Sequence, residues 1–190
     1  SETDSGKHQR LQLGQKLMLD FRYFCTDGTA SDECKTPVTE LPDELAEVLR
    51  KGKIGGVILF ADNLQSGEQI VTLIDQMQTG MREAQLPPLF IAVDQEGGRV
   101  ARLPAELSTR FAGNMALGAT FVDHKTQFAE QVASGIAKEL NLLGFNLNFA
   151  PTVDVNVNPQ NPVINVRSYG EDPAVVAALG QTTVATLQEH

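Results

Sequence analysis

The sequence predicts an α/β fold carried on a parallel sheet, and three observations predict it. Ile54–Phe60 and Leu89–Val93 are unbroken apolar runs of strand length, the pattern of strands buried on both faces. Segments with helical apolar spacing and their own start and stop signals alternate with these runs. Acids or amides close the strand-like runs: Asp62 and Asn63 after the first, Asp94 after the second, Asp154 near the end of a later one. Strands alternating with helices require parallel pairing through right-handed crossovers. Four strand–helix units are counted, and two architectures meet that pattern. One is a small doubly wound sheet, favoured by a length of 190 residues. The other is the first half of an eight-unit barrel, favoured by a full crossover helix as the last element.

Residues 1–12 are expected to form a frayed start. A first strand is placed at 16–21, and 22–41 becomes a long polar loop holding Cys25 and Cys34. Pro42, Asp43 and Glu44 open a helix, since acids suit the first turn. Leu45, Val48 and Leu49 form its apolar stripe, and Gly52 ends it. The second strand is 54–60. Ser66 and Gln69 fit a capping box ahead of Ile70, Ile74, Met77 and Met81, a stripe that reads as core. Pro87 and Pro88 stop this helix, and the third strand follows at 89–93. Residues 101–122 read as irregular. Asp123 is expected to cap a helix with Phe128, Val132, Ile136, Leu140 and Leu143 buried and Gly144 as its stop; His124 falls in its first turn with no ligand role. The fourth strand is placed at 145–150, in an apolar stretch that runs on toward Asp154. A second long loop, 156–170, contains Arg167. Asp172 and Pro173 then start a helix bearing Val175, Val176, Leu179 and Leu187. No linker, repeat or low-complexity tract interrupts 1–190, so a single domain is expected.

Composition narrows the function classes. A hydrophobic content of 42% and a charged content of 21% are ordinary for a globular chain. The net charge of −9 argues against nucleic acid as the partner, because phosphate binding needs a basic face. No apolar run reaches membrane-spanning length, and the first residues are polar and carry no signal-peptide pattern, as would those of a mature, trimmed chain. A disulfide between Cys25 and Cys34 is sterically feasible across the short loop between them. If it forms, the chain belongs in an oxidising, exported setting; two free thiols would suit the cytoplasm.

The chemistry concentrates between Pro88 and Val100. A buried strand there ends on Asp94, followed by Glu96, the pair Gly97 and Gly98, and Arg99. Ligands of parallel α/β folds bind at the C-terminal ends of strands. A hydroxyl-rich ligand fits, since each hydroxyl can donate to a carboxylate and accept from a guanidinium. Asp and Gly after a strand also make ordinary turns, so this motif alone decides nothing. Nucleotide binding is disfavoured: neither Gly-x-Gly-x-x-Gly nor a Gly-Lys-Ser/Thr phosphate loop occurs where it is needed. No cofactor and no metal is expected to take part.

Five motifs occur in order: Gly55-Gly-Val-Ile-Leu-Phe60, Ile91-Ala-Val-Asp-Gln-Glu-Gly-Gly-Arg-Val100, Leu117-Gly-Ala-Thr120, Asn148-Phe-Ala-Pro151 through Asp154-Val155, and Arg167-Ser-Tyr-Gly-Glu-Asp-Pro173. Together they resemble glycoside hydrolase family 3 in its bacterial β-N-acetylhexosaminidase branch, from about residue 13 onward. The resemblance implies the first four strand–helix units of a TIM-type (β/α)8 barrel. It implies that Asp94 grips sugar hydroxyls and that Arg167 binds substrate, with Arg99 a further lining residue. Arg167 could otherwise serve an ion pair with Glu171 or Asp172, Arg99 could simply tie its loop to an acid, and Asp154 could be a turn residue. The Lys-His-Phe-Pro-Gly-His-Gly-like motif, the histidine–aspartate acid/base and the nucleophilic aspartate of such enzymes have no counterpart in 1–190, so no catalytic residue is assigned. The expectation is a retaining glycosidase whose catalytic groups lie outside this chain, leaving the chain inactive alone and prone to self-association through open strand edges. The alternatives are a β-glucosidase of the same family and a non-catalytic carbohydrate-binding half-barrel.

Overall fold

A computed structural model describes residues 4–190. The elements run α1 (Asp4–Gly14), β1 (Met18–Asp20), α2 (Asp43–Gly52), β2 (Gly56–Ile58), α3 (Gly67–Glu83), β3 (Phe90–Val93), α4 (Asn114–Ala119), α5 (Phe121–His124), α6 (Gln127–Leu143), β4 (Leu147–Asn148) and α7 (Pro173–Glu189). The four strands form one sheet in the order β1-β2-β3-β4. Met18 pairs in parallel with Gly56, and Gly56 with Phe90. Neighbours in the sheet are neighbours in sequence, as in a barrel wall; a doubly wound sheet would reverse its strand order partway.

The chain divides into two compact units: the residues through Val93 with Leu143–Leu147, and Asp94–Leu142 with Asn148–His190. In the first, the apolar runs do what their composition requires. Val57, Leu59, Ile91 and Val93 are fully buried, and so are Ile70, Leu73, Met77 and Met81 along one face of α3. In the second, Ala129, Tyr169, Val176 and Leu179 form the core, flanked by Leu117, Phe121, Val155 and Val175.

Several expectations are corrected. From residue 4 the predicted frayed start is a helix, α1; residues 1–3 lie outside the described residues. Its sequence has no apolar periodicity, and its exposure along most of its length explains why none was needed. Gly52 is the last helical residue of α2, and Lys53 takes the left-handed cap (φ 51°), its N–H reaching the carbonyls of Arg50 and Leu49. Val48 is 45% exposed, and only Leu45 and Leu49 of that stripe are buried. Ser66 caps α3 through the Gln69 N–H (3.2 Å), but the Gln69 side chain reaches past the cap to accept from Gln65 N (2.8 Å). Within 101–122 two short helices form, and Asp123 sits inside α5. The next long helix, α6, starts only at Gln127, after Lys125 turns the chain with φ 50°. The fourth strand covers two residues where six were expected. The side chain of Asn146 substitutes for ladder bonds, accepting from Ile91 N (2.7 Å) and donating to Leu89 O (2.9 Å). Pro151, which has no N–H, follows soon after.

The long 22–41 segment is braced twice. Cys25 and Cys34 are joined in a disulfide, with Cα atoms 5.9 Å apart. Asn63, fully buried, donates through Nδ2 to Val38 O (2.8 Å) and Arg22 O (3.2 Å) while its Oδ1 accepts from Phe60 N (3.0 Å).

Candidate functional site

All the residues of the site belong to the second unit. After β3 the chain turns at once: Glu96 N and Gly97 N both donate to Val100 O (2.9 and 3.1 Å). Gly97 and Gly98 hold φ values of 88° and 58°, in the left-handed region that only glycine enters freely. A Cβ on Gly98 would stand 2.7 Å from the Gly113 Cα, so the second glycine also permits a close backbone approach. Gln95, 2% exposed, fixes the turn from inside: its Oε1 accepts from Arg102 N (2.7 Å) and Leu103 N (3.1 Å). The Asn148 amide brackets Gln95 from β4, accepting from its N–H and donating to its C=O at 3.0 Å each.

This frame presents two carboxylates with different fates. Glu96 is buried, its side chain 4% exposed, and it meets Arg167 in a two-pronged pair: Nη2 to Oε1 at 2.6 Å and Nε to Oε2 at 3.0 Å. The Thr152 hydroxyl donates to the same Oε1 at 3.0 Å. Asp94 is half-buried and makes no hydrogen bond to any other described residue. The hydrogen bonds that Arg167 donates to Glu96 drive its pKa upward; burial opposes the rise, and the charges of Glu96, Asp94 and Asp154 add to it. Arg167 is therefore a permanent cation in an acidic surround.

Its backbone is held too. Asn114, buried at the start of α4, donates through Nδ2 to Arg167 O (2.8 Å), and Ser168 Oγ donates to Asp154 O (2.6 Å). Arg167 is not paired with Glu171 or Asp172; Asp172 caps α7 through Ala174 N (2.8 Å). Arg99 is exposed and donates through Nη1 to Pro162 O (2.9 Å), so it joins the turn to the second loop by way of a carbonyl rather than an acid. Asp154 is exposed, and its carbonyl rather than its carboxylate carries the structural contact. The structure thus brings Asp94, Glu96, Asp154 and Arg167 into one electrostatic group.

Sequence reasoning missed the parts played by Glu96, Thr152 and Asn114. For Glu96 a signal existed: an acid just past a buried strand is rarely buried itself without a cationic partner. Thr152 and Asn114 carried no comparable signal. Among the described residues, no three His, Cys, Asp or Glu side chains gather closely enough to hold a metal ion, and no helix is long and apolar enough to cross a membrane.

Four strands ordered as in sequence and alternating with helices define the class: an α/β domain of the TIM-barrel type. Residues 11–190 match the family model described as the glycosyl hydrolase family 3 N terminal domain, and the chain belongs to that family. It is 53% identical, over 93% of its own length, to the beta-hexosaminidase A of Pseudoalteromonas piscicida. It is 33% identical, over 82% of its length, to a Cellulomonas fimi protein named beta-N-acetylglucosaminidase/beta-glucosidase. Among solved structures it is similar to a glycoside hydrolase family 3 beta-N-acetylglucosaminidase from Paenibacillus sp. FPU-7, with a TM-score of 0.82 and 37% identity over 95% of the chain. The chain spans 30%, 25% and 31% of the lengths of these three proteins, respectively.

Proposed function

We propose that the polypeptide carrying these residues hydrolyses the glycosidic bonds of terminal non-reducing β-N-acetylhexosamine residues by a retaining mechanism, with residues 94–167 supplying part of the sugar-binding wall. One observation carries the reading: among the described residues Asp94 accepts no hydrogen bond, beside an arginine that is firmly held by Glu96. An unpartnered carboxylate can accept charge-assisted bonds from sugar hydroxyls, and a guanidinium clamped on one edge can donate from the other. The names of the Pseudoalteromonas and Paenibacillus relatives supply the substrate class. Arg99, at the rim, is assigned a lesser contact with the same ligand.

In this reading the catalytic nucleophile and the acid/base are not among residues 1–190, and the 190-residue chain alone does not turn over substrate. The test compares a fluorogenic N-acetyl-β-glucosaminide assay of the polypeptide encoded by the whole reading frame with the same assay of residues 1–190. Asp94→Ala and Arg167→Ala in the active polypeptide are each expected to lower kcat/KM by about ten- to a hundredfold, the worth of one charged hydrogen bond. Unchanged kinetics in a folded Asp94→Ala variant overturn the site. Turnover by the short chain near the parent rate overturns the assignment of the catalytic groups.

A second reading, β-glucosidase, is favoured by the double name of the Cellulomonas relative. A matched aryl β-glucoside in the same assay separates the two by kcat/KM. The Cys25–Cys34 disulfide supports an exported setting. Among the described residues β1 is paired on one side only, which supports pairing of that edge with another strand or copy; sedimentation of residues 1–190 tests it.

A further inference from the structure

Arg167 projects from a long loop, and a long side chain on a loop has many rotamers to lose. Here most of them are already gone. Nε and Nη2 are taken by the Glu96 carboxylate, a second Nη2 N–H points at Thr152 Oγ1 at 3.5 Å, and Nη1 reaches Val163 O at 3.4 Å. Of the five N–H groups, two are in firm bonds, two are in long contacts that a better acceptor could replace, and one is free. Glu96 is itself immobile. Its side chain is 4% exposed, Thr152 donates to it, and its backbone N–H is fixed on Val100 O at 2.9 Å. A buried carboxylate spent on one arginine is costly as a source of stability alone, since the desolvation of the pair offsets much of its attraction.

We infer that Glu96, aided by Thr152, is a positioning residue: it holds the Arg167 guanidinium in one orientation before the sugar arrives, so that the Nη edge meets the hydroxyls without loss of rotamer freedom. The inference rests on the reading above that Arg167 contacts the sugar. Glu96 itself touches no substrate. In Glu96→Gln one carboxylate oxygen becomes an amide NH2, which would face the Arg167 N–H groups donor to donor, and the fork would swing away. A misplaced binding group costs between about ten- and a hundredfold in catalytic efficiency.

The experiment measures kcat and KM, together with thermal unfolding, for Glu96→Gln, Glu96→Ala, Arg167→Ala and the Glu96→Ala/Arg167→Ala double variant of the active polypeptide. Glu96→Gln nearly conserves side-chain volume and keeps the variant folded. Its kcat/KM is expected to fall at least about tenfold, mostly through KM. In the Arg167→Ala background, Glu96→Ala is expected to change kcat/KM less than about twofold, because a residue acting only through Arg167 has nothing left to position. Multiplicative losses in the double variant would show that Glu96 acts independently of the arginine and overturn the inference. Full activity in folded Glu96→Gln beside an impaired Arg167→Ala overturns the inference alone, leaving the sugar-binding reading intact. Full activity in Arg167→Ala overturns both.

Discussion

Gly98→Ala is the substitution most directly set by the backbone. Gly98 lies at φ 58°, and a Cβ there would meet Gly113 Cα at 2.7 Å and Ala112 O at 3.1 Å. Both obstacles are main chain, so no side chain can rotate aside. The left-handed conformation costs an alanine about 1–2 kcal/mol and the forced separation of two packed segments about 1–3 kcal/mol, giving about 2–5 kcal/mol in all. The damage should not stay local. Gly98 N donates to Phe111 O (3.1 Å), Gly113 precedes α4, and the next residue, Asn114, holds the Arg167 carbonyl. Pushing residues 111–114 outward therefore moves the arginine. Urea unfolding followed by circular dichroism reads the stability, and kcat/KM of the active polypeptide reads the site. Gly80→Ala is the control: a Cβ there meets nothing within 4 Å in the last turn of α3, and the change should stabilise by roughly 0.5–1 kcal/mol. Gly98→Ala with wild-type stability and kinetics would refute the close-approach argument.

Three further outcomes are expected. Cleaving the Cys25–Cys34 bond, which closes a loop of sequence separation 9, should cost roughly 2.5–3 kcal/mol by the loop-entropy relation, read as a lower unfolding midpoint in reductant; thiol titration of the unfolded, unreduced protein should find no free thiol. Asn63→Ala strips the side-chain partner from the buried carbonyl of Val38, while Arg22 O keeps Val38 N (3.1 Å), and should destabilise by about 1–3 kcal/mol in urea unfolding, with the 22–41 segment becoming more sensitive to protease. Burial pushes the Tyr169 phenol upward, although its hydrogen bond with Thr183 (2.8 Å) opposes the rise. A raised folded-state pKa means its contribution is complete below the unfolded value of about 10 and is lost as pH climbs past it. The unfolding midpoint should therefore fall more steeply between about pH 9 and pH 11 in the wild type than in Tyr169→Phe, and parallel profiles would refute the assignment.

Much of the fold was legible because burial writes itself into composition. Leu89–Val93 had to be a buried strand, and the α3 stripe of Ile70, Ile74, Met77 and Met81 had to face a core; the stripe is buried throughout and the strand along most of its length, with Ile91 and Met81 buried completely. What was not legible came from side chains that replace backbone chemistry. Asn146 shortens β4 by offering an amide where a ladder bond was expected, and Lys53 takes a left-handed cap beside an available glycine. The helix α1 lacks apolar spacing, and only its helix formers, Lys7, Gln9, Leu11, Gln12 and Leu13 among them, favoured it. In the candidate site, Asp94 and Arg167 were singled out by resemblance and chemistry together. Glu96 was visible only as a second acid, because its partner lies 71 residues away and no local pattern records so distant a pairing.

That pairing also bears on which chemistry this wall can perform. Retaining glycoside hydrolysis uses two carboxyl groups about 5–5.5 Å apart on opposite sides of the scissile bond. Asp94 and Glu96 leave the same strand end, and Glu96 has both oxygens committed to Arg167 and one of them also to Thr152. An attacking carboxylate needs a free lone pair aimed at the anomeric carbon; Glu96 would have to abandon the arginine to supply one, leaving a cation without its counter-ion in a half-buried site. Asp94 makes no hydrogen bond to any other described residue, and Asp154, the other acid near Arg167 without a hydrogen bond on its carboxylate, is exposed on the loop after β4. The proposed arrangement divides the work: Asp94 would read hydroxyls, while Glu96 is spent on keeping the arginine still. If that division of labour holds, Asp94→Asn and Glu96→Gln should both raise KM in the active polypeptide while leaving a glycosyl-enzyme intermediate still able to accumulate, as followed by mass spectrometry with a slow fluorinated substrate. Loss of the covalent intermediate in either folded variant, at saturating substrate, would place a catalytic carboxylate on this wall and refute the division.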